Sequence, residues 1–257
     1  MVDHRRSSPE SIPQINAPLQ IALQDLLTEH LAWWGLRHFD SDPAYFRWQR
    51  ETLSSQDITH LNHLVEQKRR SEGKTAEDLA FYDFSARAHI LPVLYSQRYD
   101  YYRAVGPLVA ERIEGSGSVM DFGCGPGILT TFYARCFPDI AFVGVDRSPV
   151  SIHAAHKQAS ALGLTNVRFE RFDAECSVFA EQYDLIVSTH ALLQSEIDPG
   201  LPSANWQTFF RPDDPCLQTD FERRTGLSAR LDALRRALMP HGRLIVFEKA
   251  RQPARRV

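Results

Sequence analysis

The chain has 257 residues, 43% of them hydrophobic and 24% charged, with a formal net charge of −3. This suits a soluble globular protein with one large domain, or one domain plus a sizeable appendage, and gives no basic footprint for nucleic acid. No run approaches the roughly 18 apolar residues of a membrane helix. The cysteines, Cys124, Cys136, Cys176 and Cys216, form no Cys-x-x-Cys pair, which argues against zinc and disulfides and for a cytoplasmic setting.

Residues 1–17 lack the apolar core of a signal peptide and read as a flexible tail. Residues 18–113 read as a helical cap. Leu19, Leu23, Leu26, Leu27, His30, Leu31 and Trp34 recur at three- and four-residue steps. Ser41-Asp-Pro43 starts a short helix carrying Tyr45, Phe46 and Trp48, and Ile58, Leu61, Leu64 and Val65 repeat the helical pattern. The charged stretch 66–78 reads as a helix end and loop. Residues 79–113 are aromatic-rich, with interruptions expected at Pro92 and Gly106-Pro107. Among the tyrosines Tyr95, Tyr99, Tyr101 and Tyr102, helix packing accounts for most, with one or two expected to reach a site.

Residues 114–257 change character. A short apolar strand with an acid near its end, Val119-Met-Asp-Phe122, runs into Gly123-Cys-Gly-Pro-Gly127 and then a helix that Pro138 stops. A second strand, Ala141 to Asp146, ends in a carboxylate suited to ribose hydroxyls. Ser148, Pro149 and Gly163 mark the boundaries of the helix that follows. A third strand, Val167 to Asp173, leads into Ala174-Glu175, and a fourth, Tyr183 to Ser188, into Thr189-His-Ala-Leu. A long connection, 194–226, holds four prolines and Trp206 and reads as a loop or lid. A helix from Ser228 to Met239 and a fifth strand, Leu244 to Glu248, complete the pattern. Strands four and five read as deep in a parallel sheet.

The glycines lack both the dinucleotide spacing and a Gly-Lys-Ser/Thr, so they suit a ligand without a pyrophosphate. Asp121-x-Gly-x-Gly-x-Gly127, Asp146, Asp173-Ala174 and the Pro240-x-Gly242 entry to strand five together resemble the class I S-adenosylmethionine (SAM) dependent methyltransferases, from about Ser118 to Glu248. The resemblance implies a doubly wound α/β fold with a mainly parallel sheet in the order 3-2-1-4-5. It implies SAM as cofactor and S-adenosylhomocysteine as product. Asp121 and the backbone of Gly123 and Gly125 then face the methionyl part, with Cys124 and Gly127 also among the cofactor-binding residues, Asp146 the ribose, Arg147 the adenine face, and Asp173 and Ala174 the adenine edge. Ser188, Thr189 and His190 lie near the sulfonium, with His190 the candidate base, equally readable as a structural histidine. A small-molecule acceptor follows from the absence of Asn/Asp-Pro-Pro-Tyr/Phe after strand four, with Tyr95, Tyr99, Tyr102 and Trp206 as candidate contacts. His60 with His63, and His153 with His156, have no acidic or cysteine partner at ligand spacing, so no metal site is expected.

Nine residues after Glu248 are too few for the two further strands usual in the family. The chain is therefore expected to be a fragment, or to have its strand-five edge covered by another element or a second copy, as in a homodimer. The alternatives are a non-catalytic SAM-binding or scaffold protein and an NAD-dependent oxidoreductase.

Overall fold

The computed structural model describes residues 17–70, 76–173, 178–192 and 227–248. Helices α1 (Ala17–Trp33), α2 (Asp42–Thr52), α3 (Ser55–Arg70), α4 (Ala76–Ser85), α5 (Leu91–Tyr95) and α6 (Tyr99–Ile113) come first, with a 3₁₀ turn, Ser96–Arg98, before α6. Then follow β1 (Ser118–Phe122), α7 (Ile128–Cys136), β2 (Ala141–Asp146), α8 (Pro149–Ala161), β3 (Val167–Arg171), β4 (Tyr183–Thr189), α9 (Leu227–Ala237) and β5 (Leu238–Phe247). Residues 1–16 of the expected tail and the 194–226 connection, including Trp206, lie outside the described residues, as does Ala174, while Ala17 already belongs to α1.

The five strands are all parallel, in the order β3-β2-β1-β4-β5, as expected. β1 and β4 are adjacent although two strands separate them in the chain. Their carboxyl ends therefore bound the crevice where the strand order reverses. β1 is buried on both faces, from Val119 to Phe122, as befits a central parallel strand. On one face α1, α6 and α7 share a core through Leu27, Leu31, Val109, Phe132 and Leu185; on the other, Leu234 of α9 meets Met120, Val143 and Ile186. Full burial of each such side chain contributes about 1.5–3 kcal/mol. α3 and α4 have a separate core, Leu61, Leu64 and Phe84 among its members.

Two expectations fail here. α6 runs straight through Gly106-Pro107. Pro107 forfeits one helical hydrogen bond, and Gly106 serves contact rather than flexibility: a Cβ there would stand 2.6 Å from Leu27 Cδ2 on α1. Secondly, β5 is only partly buried. It has one strand neighbour among the described residues, and Val246 is exposed. α9 ends at Ala237, two residues before the expected Met239, and β5 joins β4 at Leu238, loses register, and rejoins it from Arg243 to Phe247.

One buried polar contact pins the cap to the sheet unit. His30 of α1 is fully buried, with Nε2 2.8 Å from the Ile128 carbonyl at the start of α7 and Nδ1 3.2 Å from the Arg135 guanidinium. Burial, helped by the Arg135 charge, pushes its pKa down to about 4 against the pull of the Ile128 carbonyl. The ring is thus neutral at pH 7.

Candidate functional site

The carboxyl ends of β1, β2 and β4 open into a cavity of about 710 Å³, roofed by residues of the helical cap. Asp121, Gly123, Cys124, Gly125, Asp146, Arg147, Asp173, Thr189 and His190 all line it, as do Tyr95 and Tyr102. These eleven sequence candidates therefore share one cavity. Three others do not line it. Gly127 serves helix packing, since a Cβ there would meet the Phe169 ring at 2.9 Å. Ser188 is fully buried in β4, on the opposite side of the strand from Thr189 by the alternation of a pleated strand. Tyr99 turns away to pack on His38, ring centroids 5.6 Å apart.

Asp146 organises the glycine turn. Its Oδ2 accepts from the Gly125 amide at 2.9 Å and its Oδ1 from the Ser148 amide at 2.8 Å. Each oxygen keeps a further lone pair for a ligand. Burial raises its pKa, while those two amides and the Arg147 charge hold it down. Gly125 is left-handed (φ 54°), and the space a Cβ would fill there opens towards the Tyr95 hydroxyl, 3.6 Å away. A ligand can lie against bare main chain at that point.

Ser148 extends this network into the cap. Its Oγ accepts from the Ser151 amide at 3.0 Å, capping α8, and donates to Asp83 Oδ1 of α4 at 2.5 Å. Ser148 thus bonds both Asp146, through its amide, and the roof, through its hydroxyl.

Asp121 is buried at the end of β1, and Thr130 Oγ1 donates to its Oδ2 at 2.6 Å. Its Oδ1 is buried with no hydrogen-bond partner among the described residues, as is the Tyr101 hydroxyl. Burial, reinforced by the Asp146 charge and opposed by Thr130, pushes the Asp121 pKa up to about 6. An unsatisfied buried carboxylate oxygen costs free energy that a cationic ligand group recovers.

Beyond β4, His190 has φ 58°, the one positive φ outside glycine among the described residues. That conformation is unusual for a side chain with a Cβ. Its amide donates to the Phe247 carbonyl at 2.8 Å, and its ring meets the Tyr101 ring edge-on, 4.3 Å between centroids. The turn is held further by Glu248 Oε1, which accepts from the Leu192 amide at 2.6 Å, and by Arg230, which donates to the Leu192 carbonyl at 2.9 Å.

Sequence reasoning did not single out Arg98, Asp83, Arg230 or Glu248 for the site. Arg98 was within reach of it, since Tyr95, Arg98 and Tyr102 follow at three- and four-residue steps. That spacing puts them on one side of a helical turn.

Residues 113–252, more than half of the chain, match a family model described as a methyltransferase domain. The chain belongs to that methyltransferase family. Among curated methyltransferases, the tRNA (guanine-N(7)-)-methyltransferase of Rubrobacter xylanophilus is 29% identical over 126 residues, 49% of this chain and 48% of that protein. The mitochondrial ubiquinone biosynthesis O-methyltransferase of Schizosaccharomyces pombe is 26% identical over 147 residues, 56% of this chain and 47% of that protein. The chain thus spans about half the length of these relatives. A solved structure described as a DhpI-SAM-HEP complex is 19% identical, with a TM-score of 0.44 over 69% of this chain and 67% of that one. The methyltransferase match begins at Ile113, the last residue of α6, so the helical roof of the cavity lies almost wholly before it.

Proposed function

We propose that this methyltransferase uses S-adenosylmethionine and methylates a small-molecule acceptor held between the strand ends and the helical cap. One observation carries the reading: the unsatisfied Asp121 Oδ1, the Asp146 carboxylate and the bare main chain at Gly125 line one cavity. They fit a ligand that bears an ammonium group and ribose hydroxyls. Asp121 takes the ammonium, Asp146 the hydroxyls, and Arg147 and Asp173 flank the adenine. When bound, SAM supplies a methyl group on a sulfonium, already an electrophile. What the chain adds is alignment of the acceptor in line with that methyl and exclusion of water. His190 stands at the acceptor side to take a proton from nucleophiles that must lose one.

A small acceptor is favoured over RNA or protein by the roof. Tyr95, Tyr101 and Tyr102 close over the strand ends, where an open face would suit a macromolecule. The free thiols Cys124 and Cys136 suit a cytoplasmic location.

Calorimetric titration with S-adenosylhomocysteine, with NADH as control, tests the donor. Binding of the first alone, weakened by Asp121→Asn, is expected; NADH binding, or no binding of either, overturns the reading. Labelled SAM with a small-metabolite pool then tests transfer, and a pool that never takes label while the donor binds favours a scaffold role.

A further inference from the structure

The charged groups of the donor cavity are unevenly distributed. The strand-end side carries four acids, Asp121, Asp146, Asp173 and Glu248, beside Arg147 and Arg230; the charged groups of the cap side are Arg98 and Lys68, with no acid among the described lining residues there. A second cavity of about 870 Å³ lies within the cap, and Lys68, Gln97 and Arg98 line both. These three residues form the partition between the two spaces.

Arg98 sits at the start of α6 and stays solvent-accessible between the cavities. Its guanidinium bonds Tyr102 and lies 5.6 Å from the centre of the Tyr95 ring. It joins no ion pair among the described residues. Three acids also line the second cavity: Asp40 and Asp100 are directed to His38, at 3.7 and 3.3 Å, and Asp42 sits in the first turn of α2. A guanidinium has five donors in a planar fork and stays charged at any relevant pH. Tyrosines can occupy some of those donors and stack on its face but supply no counter-charge. A fixed cation of this kind, flanked by two tyrosines and open to the cavities, is a receptor for an oxyanion.

Resting on the donor reading above, we propose that the methyl acceptor is a small oxyanion, bearing a carboxylate or phosphate, and that Arg98 binds this group at the partition between the two cavities. The polarity of the walls then sorts the two ligands. The ammonium and hydroxyls of the donor go to the acidic strand ends, and the anion goes to the cap. The Tyr95, Tyr101 and Tyr102 rings flank the body of the acceptor, and the second cavity leaves room beyond its charged end.

The test uses fragments in the presence of saturating S-adenosylhomocysteine: benzoate, phenyl phosphate and, as the neutral control, benzamide, with binding followed by ligand-observed NMR titration. Wild type is expected to bind at least one of the anions ten times or more tighter than benzamide. Benzoate as the better ligand identifies a carboxylate, phenyl phosphate a phosphate. In Arg98→Gln the preference for the anion disappears, while Arg98→Lys keeps part of it and S-adenosylhomocysteine affinity stays within twofold in both variants. Anions binding no better than benzamide to wild type, or an anion preference surviving in Arg98→Gln, overturns the proposal. Failure of S-adenosylhomocysteine to bind wild type overturns the donor reading instead, so the two failures are distinct.

Discussion

The two walls of the cavity are built by different means. The strand-end wall is main chain and short acids, set by the hydrogen-bond ladder of β1, β2 and β4, with Asp146 clamping the glycine turn through two amides. The cap wall is long side chains, Tyr95, Arg98, Tyr101 and Tyr102, on a short 3₁₀ turn and two helices. The first is precise because backbone geometry leaves few alternatives. The second depends on how the cap is docked, which rests on the shared apolar core and on contacts at His30 and Asp83. A wall of the first kind suits a constant ligand, and one of the second kind a ligand that differs between relatives.

The largest effect is expected at the docking contact. Folded His30 takes a proton only near pH 4, whereas the unfolded residue does so near 6.5. Unfolding therefore takes up a proton between those values. This residue should cost about 3 kcal/mol of stability as pH falls from 6.5 to 4, and nothing further below. Urea unfolding followed by tryptophan fluorescence should show that loss in wild type and not in His30→Gln. Equal acid slopes would mean the cap is docked without it.

Next comes Asp146→Ala, which strips the Gly125 and Ser148 amides of their acceptor. On the proposed reading it also removes two charge-assisted bonds to ribose hydroxyls, at about 1.5 kcal/mol each, a loss of about a hundredfold in S-adenosylhomocysteine affinity. A loss under fivefold would show that the ribose is not held by this carboxylate. Asp121 follows. Its folded carboxyl keeps a proton up to about pH 6, and the unfolded one ionises near 3.8, so its contribution to stability falls as pH rises between those values. An ammonium beside it favours the ionised form. Affinity for S-adenosylhomocysteine should therefore drop about tenfold per pH unit below 6, with proton release detectable by calorimetry in buffers of different ionisation enthalpy. Asp121→Asn should bind more weakly and without that slope. Smallest is Ser148→Ala, which removes the α8 cap and the bond to Asp83, about 1 kcal/mol by thermal melting. Asp83→Ala keeps the α8 cap, so a several-fold loss of donor affinity there would show the roof buttressing the strand-end wall.

What the sequence disclosed follows the same division. The placing of Asp121, Gly125 and Asp146 in one cavity was legible because it is local: each sits at a fixed offset from a strand end, and the strands show in apolar runs. Gly127 has the spacing of a ligand turn, and its packing role was not legible because the Phe169 ring comes from another strand. Gly106-Pro107 read as a break for the same cause, since only Leu27 on a distant helix explains the glycine. His30 and Asp83 gave no signal of their roles because their partners lie 98 and 65 residues away. β5 looked like a deep strand because apolar content does not report position within a sheet.

The Ser148 hydroxyl bond to Asp83 has an evolutionary consequence. Where the polar tethers between roof and floor sit at a few fixed points, among the described residues Ser148, the Ile128 carbonyl, Arg135 and Arg243, a lineage can remodel the roof while carrying the floor forward unchanged. New acceptors then arise by grafting rather than by redesign, provided each new roof brings a carboxylate to Ser148 and a neutral donor–acceptor ring to the Ile128 carbonyl.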